Sequence, residues 1–262
     1  RQNQKNDKND ALAIVQASQL PDIKFIAGKS RTQQQMQSIM RLRELSIKQK
    51  TAQQNQLTAL LLEFNIRVSN KNGGLRGTVE SALEDAENGL TDEFRKAIHQ
   101  AWLQYIEVVK SVSVYDICLE KAIKDIPECQ KLMDLEGIGV INAVNLYNVL
   151  FCSDNGTFKK GKDASACIGL TPVQHSSGGK TKLGSIGKHI RNSTLRSQLV
   201  TGAFTYVNHV NRRSPKTKKE VWLKALIERR GKKCAAVALA NKTVRTAFAI
   251  LSNNTYYRAE PI

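Results

Sequence analysis

Apolar side chains recur at helical spacing along most of the chain, and two stretches keep this pattern longest. Residues 31–64 and residues 78–124 each predict helical structure without proline. The Asn70–Gly74 loop between them is rich in asparagine and glycine, which end helices. The two stretches are therefore predicted to pack on each other as a helical coiled-coil arm, acting as a spacer or in oligomerisation.

The stretches on either side of this arm have different patterns. Residues 1–30 predict a helix beginning near Asp10 and a short strand over residues 23–26, like the end of a globular unit. Pro127 begins a third stretch, with shorter helices predicted over residues 163–167, 190–208, 218–229 and 233–252. The sequence thus predicts a mainly α fold in three parts, residues 1–30, 31–126 and 127–262.

The charge of the chain is unevenly distributed. It carries 40 Lys and Arg against 23 Asp and Glu, a formal net charge of +17. Residues 1–130 are nearly balanced, with 18 basic and 16 acidic side chains, whereas residues 131–262 have 22 basic and 7 acidic ones. The C-terminal half is therefore predicted to bind a polyanion such as nucleic acid, the alternative being a surface that is cationic only for solubility.

The cysteines and the apolar runs exclude several other classes of protein. The five cysteines show no CxxC spacing and have few histidines near them, so neither a zinc site nor a disulfide framework is expected. Reduced thiols of this kind are typical of the cytoplasm. No apolar run approaches about 18 residues and no signal peptide is found, so no membrane span is predicted.

A glycine hairpin, Gly137-Ile138-Gly139, follows one predicted helix and begins another. Its backbone N–H groups would lie at the N-terminus of the second helix, where the helix dipole favours a phosphate. This arrangement resembles a helix-hairpin-helix motif, which holds the DNA backbone without reading sequence. The alternative is an ordinary helical hairpin with glycine caps.

A second small turn, Ser176–Gly179, separates an apolar segment from a run of cations. The expected phosphate-binding cations are Lys180, Lys182, Lys188, Arg191 and Arg196. A serine hydroxyl beside them could attack a phosphodiester if a base or a metal lay nearby. His175 is adjacent, but the pattern identifies no base, and the alternative is a plain turn.

Two further groups of charged residues bear on function. Asp7 and Asp10 would share one face of a helix and could hold Mg²⁺, or else be a helix cap with a neighbouring surface acid. Two dense basic runs, one containing Arg212 and Arg213 and the other Arg229 and Arg230, are predicted to contact the DNA backbone, although the first could be a solvated loop.

Taken together, four stretches resemble the DEDD-type transposases of the insertion-sequence one-ten family, which are related to the Piv and MooV DNA invertases. The stretches are KNDKNDALAI, LEGIGVINAVNLY, ACIGLTPVQHSSGGKTKLGSIGKHIRNSTLR and ERRGKKCAAVALANKTVRTAFAIL. They occur in the family's order and extend over almost the entire chain. The third is the most specific.

The resemblance implies three domains and a chemistry. Residues 1–30 would be the C-terminal remnant of a RuvC-like, ribonuclease-H-like α/β domain, followed by the coiled-coil arm and a serine-bearing transposase domain. Four acids of the family bind Mg²⁺, and Asp7 and Asp10 correspond to the last two. Ser177, rather than Ser176, corresponds to the nucleophile that forms a covalent phosphoserine with DNA.

The same resemblance implies partners and a location. DNA would be the substrate, a structured guide RNA serves some members, and the active protein would be a dimer or tetramer in the prokaryotic cytoplasm, at the nucleoid. The strands that carry the family's first two acids have no counterpart here, which predicts an N-terminally truncated transposase that is inactive alone. The alternative function is a non-catalytic DNA- or RNA-binding protein that regulates the full-length transposase.

Overall fold

The computed structural model describes residues 6–21, 28–151, 158–187 and 193–262, and the fold is mainly α-helical, as predicted. Its elements in chain order are α1 (Asp7–Ser18), α2 (Arg31–Glu63), a 3₁₀ turn (Asn70–Asn72), α3 (Gly74–Glu84), α4 (Asp92–Ala122), α5 (Pro127–Met133), α6 (Val140–Leu150), α7 (Gly161–Ile168), β1 (Pro172–Ser177), β2 (Lys180–Ile186), α8 (Ser193–Asn211) and α9 (Lys218–Asn253).

Helix α1 begins at an asparagine cap. The Asn6 side chain accepts a hydrogen bond from the backbone N–H of Asn9 at 2.9 Å, which satisfies a free donor of the first turn. Within α1 itself no side chain is buried, and Leu12, Ile14 and Val15 remain about half exposed or more. The strand expected over residues 23–26 lies outside the described residues, and the ribonuclease-H-like remnant stays a prediction.

Helices α2 and α4 form a long antiparallel hairpin. The side chains that pack at its two ends are Met36 and Met40 with Leu119 and Ile123, and Leu57 and Leu61 with Ile98 and Trp102. Since the start of α2 meets the end of α4, the two helices run in opposite directions. Between the apolar ends, Arg43 Nε donates to Asp116 Oδ1 at 2.5 Å across the seam. The expected packing of the two helical stretches is thus present.

The second helical stretch of the arm is interrupted. Apolar spacing predicts one stretch from Thr78 to Lys124, but the structure ends α3 at Glu84 and begins α4 at Asp92. Arg95 holds the intervening turn by donating to the carbonyl oxygens of Ala82, Leu83, Asp85 and Leu90. A short linker with Gly89 in the left-handed region therefore replaces the continuous helix that the spacing suggests.

The largest core lies in the C-terminal region, where α8 and α9 pack on each other and on α5, α6 and α7. Leu199, Val207, Leu223 and Leu239 are among its almost completely buried side chains. Helix α9 consists of two helical segments that meet at a kink at Gly231, whose φ of 78° and ψ of 165° are non-helical. The kink falls between the two helices predicted over residues 218–229 and 233–252.

Helix α9 is, in the described part of the chain, the one helix long and apolar enough in composition to cross a bilayer. Half of its most apolar window is buried inside the protein. Ala235, Leu239 and Val244 on this helix are 0% exposed and belong to the C-terminal core. Core helices meet the same criterion of length and composition.

The residues after α9 fold back over the C-terminal region. Lys131, which is only 7% exposed, donates to Asn254 Oδ1 at 2.6 Å, and its ammonium lies over the ring of Tyr256. Further along, the backbone N–H of Lys218 donates to the carbonyl of Glu260. These contacts connect α5, the start of α9 and the last residues of the chain.

Candidate nucleic-acid interface

The serine turn forms the tip of an exposed β-hairpin. Strands β1 and β2 pair in antiparallel fashion, with Ser177 opposite Lys180 and His175 opposite Lys182. Gly178 and Gly179 connect them with φ values of 55° and 75°. Positive φ at both central positions is what a type I′ turn requires, and this turn fits the twist of a two-residue hairpin. The sequence predicted the turn but missed the two strands.

The pleat of the hairpin separates the two neighbouring serines. Side chains alternate along a strand, and residues opposite each other across a pair share a face. Ser177, His175, Lys180 and Lys182 therefore lie on one face, and all four are exposed. Ser176 lies on the other face, with Thr181 opposite it, and its Oγ accepts a hydrogen bond from Gln174 Nε2 at 2.9 Å.

The base of this hairpin is fastened to the helical core. Arg196 Nη1 on α8 donates to the carbonyl of Gly187, directly after β2, at 2.6 Å. Gly187 has φ 78°, and a Cβ there would collide with the Arg196 guanidinium, so a side chain would displace this anchor. Just before β1, the carbonyl of Leu170 accepts a hydrogen bond from Asn241 Nδ2 at 3.0 Å. Arg196, predicted to bind DNA, thus has a positioning role in the described structure.

The glycine hairpin between α5 and α6 is packed against α8. Gly137 has φ 76°, and a Cβ there would lie 2.8 Å from the backbone carbonyl group of Gly202. Gly202 is in turn too close to the Gly137 carbonyl oxygen to carry a side chain. Gly139, the N-cap of α6, is exposed and has open space around its Cα. Gly139 is thus the member of the pair whose backbone a phosphate could approach.

A partly buried ion pair holds the start of the glycine hairpin. The Glu136 carboxylate accepts from Lys219 Nζ and from the Tyr257 hydroxyl, each at 2.5 Å. Burial, and then the hydrogen bond to Glu136, raise the pKa of Tyr257 above its ordinary value. The hydroxyl consequently stays protonated and remains a donor. This network ties the hairpin to α9 and to the C-terminal residues.

A buried carboxylate, that of Glu220, lies between α8 and α9. Glu220 is 3% exposed and accepts hydrogen bonds from Arg213, the Tyr206 hydroxyl and the backbone N–H of Lys216. Burial alone would raise the pKa of Glu220, but these donors outweigh it and lower the pKa to about 2. Both guanidinium Nη atoms of Arg213 donate hydrogen bonds to this carboxylate, whereas Arg212 is exposed. The prediction that both arginines contact DNA stays a prediction, and Arg212 is the better placed.

A broad groove of about 1790 Å³ lies beside the base of the β-hairpin. It runs between the second half of α9 and the start of α7, and Pro172 and Ile186 from the hairpin line one end. The cations in its lining are Lys159, Lys160, Lys162, Lys233, Lys242 and Arg245. Acidic side chains are absent from the described lining, so the groove favours an anion.

Aromatic rings lie among these cations. Phe158, Trp222 and Phe248 line the groove, and the ammonium of Lys242 lies 4.8 Å from the centre of the Trp222 ring. Trp222 is 37% exposed, which leaves part of the indole open to a ligand. Cations next to exposed rings are the combination that binds phosphates and stacks on bases. Arg229 and Arg230 are exposed just before the α9 kink.

Asp7 and Asp10 both lie in the first turn of α1 and are exposed. Their carboxylates are three residues apart, so they share one side of the helix. Among the described residues, no group of three or more His, Cys, Asp or Glu side chains is arranged to hold a metal ion. Lys188 and Arg191, predicted to bind phosphate, lie outside the described residues.

Sequence reasoning missed several residues of this region. Glu136 and Glu220 are ordinary acids by pattern, and their partners lie up to 121 residues away along the chain. The groove was missed because its cations come from two separate stretches. One sequence feature could have pointed to Glu136, namely its position directly before the glycine hairpin.

Comparison with known proteins identifies the family. A family profile described as "Transposase IS116/IS110/IS902 family" matches residues 129–219, which include the glycine hairpin and the serine hairpin. The chain is 33% identical to the transposase for insertion sequence element IS1111A of Coxiella burnetii over 97% of its own length and 68% of that protein. It is also 28% identical to the transposase for insertion sequence element IS1328 of Yersinia enterocolitica, over 97% of this chain and 73% of that one.

A third relative is the protein of Pseudomonas aeruginosa named "Probable family 20 transposase", which is 29% identical over 97% of this chain and 74% of that one. These similarities extend over nearly all of the chain and thus include the arm as well as both hairpins. The chain belongs to the IS116/IS110/IS902 family of transposases.

Proposed function

We propose that this protein acts in DNA transposition, with Ser177 as the nucleophile that attacks a DNA phosphodiester. The observation that carries the proposal is the shared face of the β-hairpin, where Ser177 is exposed next to Lys180 and Lys182. Ser176 lies on the opposite face, where its hydroxyl accepts a hydrogen bond from Gln174. The hairpin therefore favours Ser177 over its neighbour.

The cations near Ser177 would stabilise the reacting phosphate. Attack on a phosphodiester concentrates negative charge on the phosphate oxygens, and preorganised cations lower the energy of that state. Lys180 lies directly opposite Ser177, and Lys182 lies opposite His175 on the same face of the hairpin. A phosphoserine bond formed in this way keeps the energy of the broken phosphodiester, so rejoining to a new DNA end would need no ATP.

The wider basic surface would hold DNA on either side of the reacting phosphate. The groove beside the hairpin, the exposed Arg229 and Arg230, and the open backbone at Gly139 are all in the C-terminal region. Contacts of this kind go to the phosphate backbone and position DNA without reading its sequence. A structured guide RNA and a dimer or tetramer, both implied by the family resemblance, belong to the same proposal.

Asp7 and Asp10 would contribute carboxylate ligands to Mg²⁺. Two exposed carboxylates on one side of a helix offer the hard oxygen donors that Mg²⁺ takes together with water. When bound, the ion would neutralise charge that develops on the phosphate. The two aspartates account for part of such a site, since the described residues provide no third acid beside them.

Trapping the covalent intermediate tests the proposal. The protein, expressed from its complete reading frame, is incubated with Mg²⁺ and labelled DNA that spans both ends of its own element, and a denaturing gel detects protein–DNA adducts. We expect an adduct with the unaltered protein and with Ser176→Ala, and none with Ser177→Ala. An adduct that persists in Ser177→Ala would show that the serine assignment is wrong.

A non-catalytic DNA- or RNA-binding protein is the second candidate. The observation that favours it is the absence, among the described residues, of three or more acids grouped to hold a metal. Such a protein would bind DNA through the basic groove and regulate a complete transposase. It would form no adduct under any of these conditions, yet its DNA affinity would fall steeply with salt.

A further inference from the structure

We propose that the basic groove beside the β-hairpin holds unpaired nucleotides of the cleaved DNA strand, with one base stacked on Trp222. This inference rests on the proposed function, because the strand that it places in the groove is the one that Ser177 would cut. It goes beyond contacts to the phosphate backbone, since it gives a role to the aromatic ring among the cations.

Trp222 is held at the surface by a cation rather than by the core. Its side chain is 37% exposed, and it belongs to none of the hydrophobic clusters of the described residues, although its neighbour Leu223 is fully buried. The ammonium of Lys242 lies 4.8 Å from the centre of the indole ring. A large ring that the core does not need, and that lines a groove, is available to a ligand.

The chain reverses direction at Gly231 to build this arrangement. Twenty residues separate Trp222 from Lys242 along the chain, and a straight helix would hold them about 30 Å apart. Their contact shows that the two segments of α9 lie side by side. On the other wall, a Cβ on Gly161 of α7 would lie 3.3 Å from the Arg245 Cα. Backbone packing therefore fixes both walls.

The size and the lining of the groove indicate a stretch of polymer. Its volume of about 1790 Å³ exceeds the roughly 300–1,000 Å³ that is usual for a small-molecule pocket. Cations occur on both walls, Lys160 and Lys162 on one and Lys233 and Lys242 on the other. Cations spaced along a groove suit the successive phosphates of a nucleic-acid backbone.

An unpaired strand can use the ring, whereas a duplex cannot. In a duplex each base is stacked between its neighbours, so its faces are closed to a side chain. Duplex DNA would contact the cations and leave Trp222 unused. A single strand can place a base against the indole while a phosphate contacts Lys242, which lies over the same ring.

The position of the groove indicates which strand it takes. Pro172 and Ile186, which pair at the base of the β-hairpin, line one end of it. The strand from Pro172 to Ser177 extends about 17 Å, and stacked DNA advances about 3.4 Å per nucleotide. A strand attacked by Ser177 would therefore reach the groove within about five nucleotides of the cut, and would be unpaired there.

Oligonucleotide binding tests the groove without cleavage. The protein is titrated, in the absence of Mg²⁺, into labelled oligo(dT), into its duplex with oligo(dA), and into oligo(rU) of the same length. We expect Trp222→Ala to weaken binding of oligo(dT) about 10-fold and to change binding of the duplex less than about twofold. Trp222→Phe should retain most of the affinity, because it keeps an aromatic face.

Tyr256→Ala is the matched control. Tyr256 is also an exposed ring with an ammonium over it, that of Lys131, but it lies outside the described lining of the groove. Its substitution should leave the affinity for oligo(dT) unchanged. Indole fluorescence gives a second measurement, because a stacked base quenches it. Quenching by oligo(dT) should be lost in Trp222→Phe, since Trp102 is only 7% exposed and remains in both proteins.

Three outcomes would overturn the inference. They are an unchanged affinity of Trp222→Ala for oligo(dT), an equal loss for oligo(dT) and the duplex, and equal quenching in Trp222→Phe and the unaltered protein. Tighter binding of oligo(rU) than of oligo(dT) would assign the groove to RNA and would overturn it as well.

The DNA adduct assay separates this inference from the proposed function. We expect Trp222→Ala to form the adduct more slowly than the unaltered protein. If Trp222→Ala forms it at the normal rate while Ser177→Ala forms none, the nucleophile stands and the role of the groove is wrong. If Ser177→Ala still forms the adduct, the proposed function itself fails, whatever the groove binds.

Discussion

The two glycine turns of the C-terminal region use the same residue for opposite reasons. Gly137 is pressed against the backbone of Gly202, so that a single methyl group would collide with it. Gly178 and Gly179 have open space around them and are glycines because both need positive φ. The first turn is thus part of the packed core, while the second is a free tip that presents side chains. A short glycine motif in a sequence does not distinguish these two uses.

The largest effect on stability is expected for Gly137→Ala, in the packed turn. Its Cβ would lie 2.8 Å from the Gly202 carbonyl group, and alanine is disfavoured at φ 76°. Overpacking and backbone strain together should lower the free energy of unfolding by about 3 kcal/mol. Gly139→Ala is the matched control, because open space surrounds that residue and its φ is −108°. Urea denaturation measures the free energy of unfolding of both variants. Equal values for Gly137→Ala and Gly139→Ala would contradict the close packing of Gly137.

Acid should destabilise the packed C-terminal core, through protonation of Glu220. The pKa of Glu220 is lowered to about 2, from 4.5 in an unfolded chain, so its stabilising contribution is full above pH 4.5. That contribution is lost as the pH falls from about 4.5 to 2. Glu220→Gln leaves Arg213 without its charged partner and should cost about 3 kcal/mol at pH 7.

The pH dependence of urea unfolding checks this expectation. The unaltered protein should lose stability below pH 4.5 more steeply than Glu220→Gln does. Glu80→Gln is a suitable control, since its partner Arg76 is a surface residue in an exposed pair. Parallel curves for the unaltered protein and Glu220→Gln would show that Glu220 does not carry the effect.

A smaller effect is expected at the open turn. Gly179→Ala meets no neighbouring atom, so its cost is limited to the positive φ of 75°, about 1 kcal/mol. The strain should weaken the hairpin and leave the helical core intact. Amide exchange in β1 and β2 should therefore speed up, whereas exchange in α8 and α9 should not. Faster exchange in both regions would show that the tip is coupled to the core.

The least disruptive test concerns charge. Lys180→Ala combined with Lys182→Ala removes two exposed cations beside Ser177. If both contact phosphates, the slope of log affinity against log salt concentration should fall by about 2. Lys110→Ala, on the arm, should leave the slope unchanged. None of these substitutions should change the stability of the protein. A salt slope equal to that of the unaltered protein would show that Lys180 and Lys182 do not contact the DNA.

The helical pattern made most of the fold predictable. The start of α2, the boundary at Pro127 and the interruption of α9 all follow from apolar spacing and from the positions of proline and glycine. The β-hairpin did not, because almost all its residues are exposed and it lacks the alternation of a half-buried strand. Arg95 closes a linker that apolar spacing could not reveal.

The candidate site was predictable in part. Ser177, Lys180 and Lys182 form a cluster in the sequence, but only the strand register shows that His175 shares their face and Ser176 does not. Arg196 and Arg213 stand out in the sequence by their charge, whereas their hydrogen bonds go to Gly187 and Glu220. A cation's partner depends on the tertiary fold, which the local sequence does not encode.

The alternation of side chains along β1 has a consequence for mutations that change length. The register shifts between Pro172 and Gln174, because β2 has two residues there where β1 has one. One residue inserted into β1 at this point could pair with the extra residue of β2, and Ser177 would still lie opposite Lys180. One residue inserted between Gln174 and Ser177 would instead shift the register of the tip itself. Single-codon insertions should consequently be better tolerated at the base of this strand than near its tip.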